Sequence, residues 1–474
     1  IYLFIPMKKF ENLDQLKAWS KENGFVYPSS EIYGGFAAVY DYGHYGILLK
    51  NNIQRAWERS MVQERNDVYQ LDSGIFMHPK TWVASGHVAS FNDVLVEDKK
   101  THKRYRADHL VEEFFENKGE KVDMDKKTPD EIKNIIAENN IKSPEGNDLT
   151  EPRNFNLMVK TNMGTTDNTM TDENVVYARA ETCQGIYLEY KNFVDTMRVK
   201  LPFGIAQVGK AFRNEIVARQ FIFRTREFEQ MEMQYFLNPK DMDTRFDEWK
   251  ETRMKWHIDV LGISAENLRF KKHEKLAHYA SAAYDIEYNF NTLGGFKELE
   301  GIHARGDWDL SQHQKFSGTK LEYFDEETKE RYIPNIMETS VGLNRLVMMV
   351  IEESYTQEEL TNAKGEKDTR VVLKIKKDLA PIKVAILPLS KKPDLQAKSL
   401  EVQALLKADY MTQYDETASI GKRYRRQDEI GTPYCVTIDF DTLNDNAVTV
   451  RDRDTMQQER IQISELKAYI DSKF

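Results

Sequence analysis

The sequence IAQVGKAFRNEIVARQFIFRTREFEQMEMQYF, residues 205–236, is the most informative segment of the chain. Two extended runs joined by a short polar link are typical of an antiparallel pair of strands. Because side chains alternate between the faces of a strand, each run is expected to carry a polar row on one face. These rows are Arg224, Arg226, Phe228, Gln230 and Glu232 in the second run, and Gln207, Arg213 and Glu215 in the first.

Rows of arginine and carboxylate around an aromatic ring suit a nucleoside triphosphate better than a protein core. Arginine stays charged and donates paired hydrogen bonds to phosphate oxygens. A ring could stack on a base, and a carboxylate could accept a hydrogen bond from its exocyclic amine. The segment therefore indicates an ATP site, and a solvent-exposed, ion-paired sheet face is the alternative interpretation.

The runs FRNE at 212–215 and FRTREFEQME at 223–232 resemble motif 2 of the class II aminoacyl-tRNA synthetases, in the form found in the glycyl-tRNA synthetases. The match is longer and more specific than a lone glycine motif. The resemblance implies an α+β fold. Its catalytic domain would be a six-stranded antiparallel sheet flanked by helices, and a C-terminal α/β anticodon-binding domain would follow.

Composition indicates an ordinary folded protein. The chain has 474 residues, enough for about three domains, and 40% of them are hydrophobic and 30% charged. No apolar run reaches the roughly 20 residues that span a bilayer, and the apolar residues 1–6 are too few for a signal peptide. Cys183 and Cys435 have no metal-ligand spacing. We therefore expect a cytoplasmic protein with no membrane partner and no zinc.

The net charge of −10 argues against indiscriminate binding of nucleic acid. It does not exclude a tRNA partner, because local basic patches rather than net charge contact phosphates. One basic cluster near the C-terminus consists of Lys422, Arg423, Arg425 and Arg426.

The N-terminal part predicts two helices, over residues 8–23 and 47–65, and then an extended segment that ends at Pro79. This order resembles motif 1, which implies a homodimer interface. An ordinary surface helix and turn are the alternative. His44 and Tyr45 depart from the family's usual YDYGPLG, and this departure concerns local packing.

Residues 78–115 carry two further runs typical of the family, HPKTWVASGHVASFNDVLVEDKK and KRYRADHLVEEFF. The resemblance places Arg106 near the substrate. The histidines His78, His87 and His109 predict no metal site, since no carboxylate or cysteine completes a ligand set. The lysine-rich residues 118–174 predict a small helical insertion, which in the family lies near the tRNA acceptor stem. A solvated appendage is the simpler interpretation of its charge.

The run YARAETCQGIYLEY at 177–190 resembles the family's RPETAQG segment. Ala180 and Cys183 are departures from it, whereas the carboxylate of Glu181 is retained. Since no base is implied beside Cys183, we interpret this cysteine as a small packed residue rather than a nucleophile.

Two later runs complete the resemblance. GGFKELEGIHARGDWDLSQHQKFSG at 294–318 contains Glu298, Arg305 and Asp309 in the family's pattern. NIMETSVGLNRLVMMVIEE at 335–353 resembles motif 3, a strand that leads through a glycine turn into a helix. An arginine at the start of that helix, Arg345, would face phosphates together with exposed backbone N–H groups.

The domain assignment follows from these runs. We assign residues 1–365 to the catalytic domain, including the insertion at 118–174 and a helix-rich segment at 241–290. Residues 366–474 alternate strands and helices and resemble the anticodon-binding domain of class IIa synthetases. A generic nucleotide-binding domain is the alternative, although neither GxGxxG nor GxxxxGKS occurs.

The resemblance implies a two-step reaction in which glycine and ATP form glycyl adenylate and the glycyl group then moves to the 3′-terminal adenosine of tRNA(Gly). The expected catalytic residues are Arg213, which would stabilise charge on the α-phosphate, and Arg345. Phe228 would stack on adenine. The expected ATP-binding residues are Arg213, Asn214, Glu215, Phe223, Arg224, Arg226, Phe228, Glu298, Leu299, Gly342 and Arg345.

Glycine offers only an ammonium and a carboxylate, so alanine must be rejected by filled walls rather than by an attractive pocket. The expected glycine-binding residues are Arg106, Glu181, Glu232, Arg305, Glu338 and Ser340, in which carboxylates would hold the ammonium. Mg²⁺ is the expected cofactor of ATP, with Glu298 and Glu338 as candidate ligands, because this hard cation prefers oxygen and substrate phosphate.

Two other functions stay open. One is a sister class IIa synthetase for histidine, proline, serine or threonine, which would need a larger pocket or, for threonine, a zinc ion. The other is a synthetase-like paralogue that binds ligand without charging tRNA. Such proteins typically lack the arginines of motif 2 or motif 3 or the anticodon-binding domain, all of which this sequence has.

Overall fold

The computed structural model describes residues 8–120, 122–124, 127–163, 175–216, 220–274, 276, 280–361 and 367–474. The expectation for residues 1–6 and the last part of the predicted insertion, residues 164–174, lie outside these ranges. Within them, no helix combines the length and the apolar character that crossing a bilayer requires.

The N-terminal region contains both predicted helices. Its elements are α1 (Leu13–Glu22), β1 (Val26–Pro28), β2 (Tyr40–Tyr42), α2 (His44–Glu58), β3 (Val68–Leu71), α3 (Lys80–Ala84) and α4 (His87–Ser90). The Asn12 side chain caps α1 by accepting a hydrogen bond from the backbone N–H of Gln15. Helix α2 continues as a π-helical turn over Arg59–Gln63. Gly46 lets α2 approach β1, since a Cβ there would lie 1.9 Å from the carbonyl oxygen of Phe25.

A small subdomain follows, made of β4 (Asn92–Glu97), β5 (Arg104–Arg106), α5 (Ala107–Glu116), α6 (Pro129–Glu138) and β6 (Arg153–Asn156). Its strands pair in the order β5-β4-β6 and its helices share a core around Val96, Val111 and Ile132. The prediction of a helical insertion at 118–174 differs from the structure in two ways. The subdomain begins before residue 118, with β4, β5 and α5, and it contains a three-stranded sheet as well as helices. The subdomain is closed by the pairing of β4 with β6, which lie far apart in the chain. Local composition cannot predict such a pairing.

The remaining elements of the catalytic domain are β7 (Val159–Asn162), β8 (Val175–Ala178), α7 (Cys183–Met197), β9 (Phe203–Phe212), β10 (Glu227–Leu237), α8 (Met242–Lys255), β11 (Leu268–Lys272), β12 (Ala282–Phe290), β13 (Gly295–Gly306), α9 (Trp308–Ser317), β14 (Tyr323–Phe324), β15 (Arg331–Tyr332), β16 (Asn335–Gly342) and α10 (Leu343–Ser354). The segment 241–290 is helical only in its first half. Its second half forms β11 and β12, because the alternating side chains of AAYDIEYNF fit a half-buried strand.

The catalytic sheet has seven strands in the order β11-β12-β13-β16-β10-β9-β3. The first six pair antiparallel, as predicted, and β3 adds a strand parallel to β9 that the sequence analysis did not foresee. Helices α8 and α10 cover one face, where Met231, Met233 and Met337 join the main core. The opposite face carries the polar rows.

The strand register aligns these polar rows into one band. Glu232 on β10 pairs with Gln207 on β9 and with Ser340 on β16. Two residues further along, Gln234 pairs with Glu338, and Glu338 pairs with His303 on β13. Since the side-chain period of a strand is two, the band crosses four neighbouring strands on a single face of the sheet.

A hairpin of β17 (Tyr355–Thr361) and β18 (Lys367–Leu373) precedes the C-terminal domain. That domain contains β19 (Val384–Pro388), α11 (Pro393–Leu406), β20 (Thr412–Tyr414), α12 (Ile420–Glu429), β21 (Tyr434–Ile438), α13 (Thr442–Asp445), β22 (Ala447–Asp452), β23 (Gln458–Gln462) and α14 (Ile463–Asp471). Its sheet, in the order β20-β19-β21-β22-β23, confirms the predicted α/β architecture. The predicted boundary at residue 366 lies between the two strands of the hairpin, which pair with each other.

Arg370 of β18 ties this hairpin to the C-terminal domain. Its buried guanidinium pairs with Glu358 of β17 at 3.0 Å and with Asp428 of α12 at 2.8 Å. Asp428 also pairs with Arg451 of β22 at 2.9 Å. Because a buried charge without partners costs several kcal/mol, these mutual contacts hold α12 and the hairpin in one arrangement.

Candidate active site

A cleft opens on the polar face of the catalytic sheet. Its lining includes most of the predicted ATP-binding residues: Arg213, Glu215, Phe223, Arg224, Phe228, Glu298, Leu299, Gly342 and Arg345. Asn214 and Arg226, which belong to the same predicted set, are not among the lining residues. The strands β10, β13 and β16, the residues between β9 and β10 and the start of α10 form this cleft.

Arg213 follows β9 directly and is held by contacts on several sides. Its Nε donates a hydrogen bond to the carbonyl of Ala180 at 3.1 Å. The guanidinium lies over two aromatic rings, those of Phe91 and Phe228, with each ring centroid 5.3 Å away. Such a guanidinium is fixed before any ligand binds, which is the condition for electrostatic stabilisation without reorganisation.

The loop between β9 and β10 carries Arg224 and Arg226, so these two arginines precede the strand instead of extending its polar row. Arg224 pairs with the buried carboxylate of Glu215 at 3.2 Å. Arg226 donates from Nε to the backbone carbonyl of Glu215 at 2.9 Å, and its guanidinium lies 5.6 Å from the ring centroid of Phe36. Arg226 therefore holds the loop, whereas Arg224 lines the cleft.

Arg345 lies in the first turn of α10, opposite Arg213 in the cleft lining. It pairs with the Glu298 carboxylate at 3.2 Å and stacks over the Phe223 ring at 4.5 Å. The charge of Arg345 lowers the pKa of Glu298, with smaller contributions from His303 and Arg213. Glu298 is thus an ionised carboxylate at the cleft, and half of its side chain is exposed.

A second polar site adjoins the cleft at Glu232. The Thr182 hydroxyl donates a hydrogen bond to the Glu232 carboxylate, and Ser340 lies opposite Glu232 on β16. Burial, and then the negative charges of Glu338 and Glu181, raise the pKa of Glu232 to about 8. Glu232 is therefore protonated at neutral pH when no cation is beside it.

Glu338 has the opposite environment. Its oxygens accept hydrogen bonds from His303 Nδ1 at 2.7 Å, from Gln234 Nε2 at 2.7 Å and from Arg305 Nη1 at 3.2 Å. Burial opposes its ionisation, but the positive charge of Arg305 and the His303 contact outweigh burial and lower the pKa of Glu338 to about 2. Arg305 is in turn fixed by two hydrogen bonds to Asp309, at 2.8 and 3.0 Å.

Glu181 precedes α7 and faces the same site. Its Oε1 accepts hydrogen bonds from Cys183 Sγ at 3.0 Å and Gln184 Nε2 at 2.9 Å, and it lies 3.4 Å from His87 Nε2. Burial would raise its pKa, but the contacts with His87 and the charge of Arg305 hold the pKa of Glu181 well below its usual range. Burial and these carboxylates raise the pKa of Cys183 well above normal, in agreement with a packed thiol.

Arg106 is the predicted glycine-binding residue that the structure places apart from the others. It belongs to β5 of the subdomain, and its guanidinium pairs with Asp93 at 3.2 Å and with Asp108. The electrostatic influence of Glu215 reaches it, so Arg106 lies toward the ATP cleft. Neither of these two ion pairs involves Glu181, Glu232 or Glu338.

The basic cluster near the C-terminus is engaged in internal contacts. Arg423 is buried and donates to the carbonyls of Pro388 and Leu389. Arg425 pairs with Asp368, and Arg426 pairs with Asp415. These three arginines therefore stabilise α12 through contacts within the protein.

Sequence analysis missed several residues that complete the site: Thr182, Gln234, His87 and His303. The alternation along β10 could have identified Gln234, which lies two residues from Glu232. The two histidines come from α4 and β13 and reach their carboxylates only through tertiary contacts. No local pattern signals such pairs.

Comparisons with known proteins agree with this geometry. The family model "tRNA synthetase class II core domain (G, H, P, S and T)" matches residues 166–354, and the model "Anticodon binding domain" matches residues 383–473. The chain is 48% identical over 466 residues to the glycine–tRNA ligase of Thermobifida fusca, covering 98% of each chain. It is 46% identical over 482 residues to that of Chlorobaculum tepidum, covering 97% of this chain and 100% of the relative.

Among solved structures, prolyl-tRNA synthetase from Cryptosporidium parvum, complexed with halofuginone and AMPPNP, superposes with a TM-score of 0.62. The alignment covers 97% of this chain and 74% of that chain at 15% identity. At this identity the likeness shows a shared fold alone.

Proposed function

The chain belongs to the glycine–tRNA ligase family of class II aminoacyl-tRNA synthetases, and from this membership we propose that it activates glycine with ATP and charges tRNA(Gly). The observation that carries the proposal is the contact between two sites on one sheet face. A cleft lined by arginine and aromatic residues, suited to ATP, adjoins a small site walled by Glu181, Glu232 and Glu338.

We propose that Arg213 and Arg345 act on the triphosphate. The carboxylate of glycine attacks the α-phosphate, the bond to pyrophosphate breaks, and pyrophosphate leaves with the electron pair. No side-chain nucleophile is needed in this step. Arg213, held by Ala180 and two rings, stabilises the charge that develops on the α-phosphate. Arg345 and Arg224 bind the outer phosphates, and Phe228 stacks on adenine.

Glycine binding is assigned to the carboxylates of the second site. Glu232 and Glu181 hold the ammonium, and Ser340 contributes a hydroxyl. Glu338 orients Gln234 and Arg305 through the hydrogen bonds described above. Buried polar side chains fill this site from several strands, so a methyl group on the substrate meets occupied space. This is the steric route to rejecting alanine.

Class II synthetases use Mg²⁺ with ATP, and the donor set of the cleft fits one such ion at Glu298. Its carboxylate is ionised, lies at the cleft and is half exposed. Glu338 fits poorly, because both of its oxygens already accept hydrogen bonds from His303, Gln234 and Arg305. Of the two predicted ligands we therefore assign only Glu298 to the ion. Mg²⁺ held there would neutralise charge on the phosphates.

Three further assignments rest on family membership. We propose a homodimer built on α2 and β3, which occupy the position of motif 1. We propose that the C-terminal domain binds the anticodon stem-loop of tRNA(Gly). A cytoplasmic location completes the proposal, since this is where the other substrates of translation are found.

The test is amino-acid-dependent exchange between ATP and pyrophosphate, run with each of the twenty amino acids and Mg²⁺ in the absence of tRNA. Exchange with glycine alone is the expected result. Exchange with another amino acid would assign the chain to a sister synthetase, and no exchange with any of them would identify a paralogue that does not activate amino acids.

A further inference from the structure

Two histidines and an aspartate form a compact cluster, and of the three only His303 has a contact in the proposed active site, through Nδ1 to Glu338. Asp285 lies on β12, His303 lies on β13, and His273 immediately follows β11. One potential ligand atom from each side chain lies within 4.8 Å of the other two. The cluster lies at the β11 edge of the polar band, where the charge of Glu298, a residue of the ATP cleft, acts on Asp285.

The strand register explains why these side chains meet. Asp285 pairs with Gly301 and Ala283 pairs with His303, so Asp285 and His303 are diagonal neighbours on one face. The backbone N–H of His273 donates to the carbonyl of Ala283 at 3.0 Å, which brings β11 to the same place. The His303 ring lies over Gly301, where a Cβ would be only 2.7 Å from Cε1.

The hydrogen bonding of His303 prepares it as a ligand. Its Nδ1 lies 2.7 Å from Glu338 Oε1, and an ionised carboxylate only accepts hydrogen bonds. The proton between them therefore sits on Nδ1, which leaves Nε2 as the ring nitrogen that can face an ion. A carboxylate that accepts a hydrogen bond from the second ring nitrogen orients a metal-binding histidine and raises its basicity.

The contact between His273 and Asp285 points to the same conclusion. His273 Nε2 and Asp285 Oδ2 lie 2.8 Å apart, yet Nε2 is a buried atom that makes no hydrogen bond of acceptable geometry. In a hydrogen bond the N–H of His273 would point at the Asp285 oxygen. Two ligands of one ion instead both point at the ion between them. The His273 side chain is 34% exposed, which leaves access from solvent.

We propose that His273, Asp285 and His303 bind one divalent transition-metal ion of the zinc class, through imidazole nitrogens and a carboxylate. Imidazole ligands favour zinc, cobalt, nickel and copper over magnesium. Three protein ligands of this kind leave a fourth position for water or another group. Ligand atoms around tetrahedral zinc lie about 3.4 Å apart, so small side-chain rotations close the cluster around an ion.

Local spacing could not reveal this set. The sequence analysis expected no zinc because the two cysteines are isolated, and it weighed only His78, His87 and His109. The three ligands of the proposed site come from two strands and from the residue after a third, and the pairing of these strands brings them together. The competing interpretation is an ion pair between His273 and Asp285, with His303 in edge contact at 5.9 Å between the ring centroids.

The experiment uses the full chain after treatment with EDTA and dialysis into buffer with excess Mg²⁺, which occupies magnesium sites. Titration with Co²⁺ is followed by visible absorption, and bound Zn²⁺ is counted by elemental analysis after desalting. We expect one equivalent per chain. His273→Gln is expected to weaken binding at least about 10-fold, as loss of a ligand does, and Asp285→Asn should act in the same direction.

His102→Gln is the matched control, because His102 also contacts a carboxylate, Glu97, but is 76% exposed and outside the cluster. It should bind the metal like the wild type. Thermal melting of the metal-free variants checks folding, and His273→Gln, at a partly exposed position, keeps the test valid if Asp285→Asn does not fold. Absence of bound metal in the wild type, or equal binding in His273→Gln, would overturn the proposal in favour of the ion pair.

Discussion

Glu232 and Glu338 lie on neighbouring strands of the same sheet face, yet the pKa of Glu232 is raised to about 8 while that of Glu338 is lowered to about 2. Both carboxyl groups are buried. Glu338 contacts Arg305 and His303, whereas the partners of Glu232 are the neutral hydroxyls of Thr182 and Ser340. The negative charge of Glu338 is thus balanced by positive groups of the protein. Glu232 ionises at neutral pH only when the substrate brings a cation.

Glycine binding is therefore expected to release up to about one proton per chain near pH 7, because the ammonium favours the ionised form of Glu232. Isothermal titration calorimetry in buffers of different ionisation enthalpy measures this release. The same titration above pH 8 is the control, since Glu232 is then already ionised and the release should decline. A binding enthalpy that does not depend on the buffer at pH 7 would contradict this role of Glu232.

The same residue makes the stability of the free protein depend on pH. Since the folded pKa of Glu232 is raised from 4.5 to about 8, the native state binds more protons than the unfolded state between these values. Its contribution to the free energy of unfolding is full below pH 4.5 and is lost as the pH rises toward 8, by at most about 1.4 kcal/mol per unit. Urea unfolding of Glu232→Gln should show a smaller decline than the wild type. Parallel profiles would show that Glu232 is not protonated.

Glu181→Gln is expected to raise the KM for glycine in the exchange reaction by about 10- to 100-fold, because a hydrogen bond to a charged group contributes about 1.5–3 kcal/mol. The KM for ATP should change little, since Glu181 is not among the residues that line the ATP cleft. Glu189→Gln, a change at a partly exposed position of α7, is the matched control. An unchanged glycine KM in Glu181→Gln would remove this residue from the substrate site.

Arg213→Lys is expected to lower kcat for exchange by about 100- to 1000-fold, the usual cost of losing one oriented donor in the transition state. Lysine keeps the charge but loses the planar group that rests between Phe91 and Phe228. Arg245→Lys, at a site on α8 where the arginine pairs with Glu248, should leave kcat unchanged. If only the KM for ATP rises in Arg213→Lys, this arginine binds the ground state and does not stabilise the transition state.

Local periodicity was sufficient for the strands that bear the motifs. The pairing of β9 with β10 and the strand-to-helix passage at Gly342 follow from runs of residues adjacent in sequence. The same reasoning placed Gln207 and Glu232 on one face, and the register confirms it. The alternation also predicted that Arg224 and Arg226 belong to the second strand, whereas β10 begins at Glu227. Alternation alone does not mark where a strand begins.

Contacts between distant segments explain what local patterns did not reveal. Pairing of β4 with β6 defines the subdomain, and pairing of β3 with β9 adds the seventh strand. The roles of His87 and His303 depend on carboxylates from other elements, Glu181 and Glu338. Similarly, the arginines of α12 look like a phosphate patch until their partners, among them Asp368 and Asp415, are known.

The buried Arg370 bears on how this protein can be recombined with its relatives. The match to the core-domain model ends at residue 354, and the match to the anticodon-binding model begins at residue 383. On this basis alone, two relatives could be joined at any point between these residues. In a chimaera joined before β18 or within it, Arg370 and one of its partners, Glu358 or Asp428, would come from different proteins, and a donor without the matching charge would leave a buried charge unpaired. A donor C-terminal domain must therefore bring the whole hairpin, so the exchangeable unit begins at Tyr355.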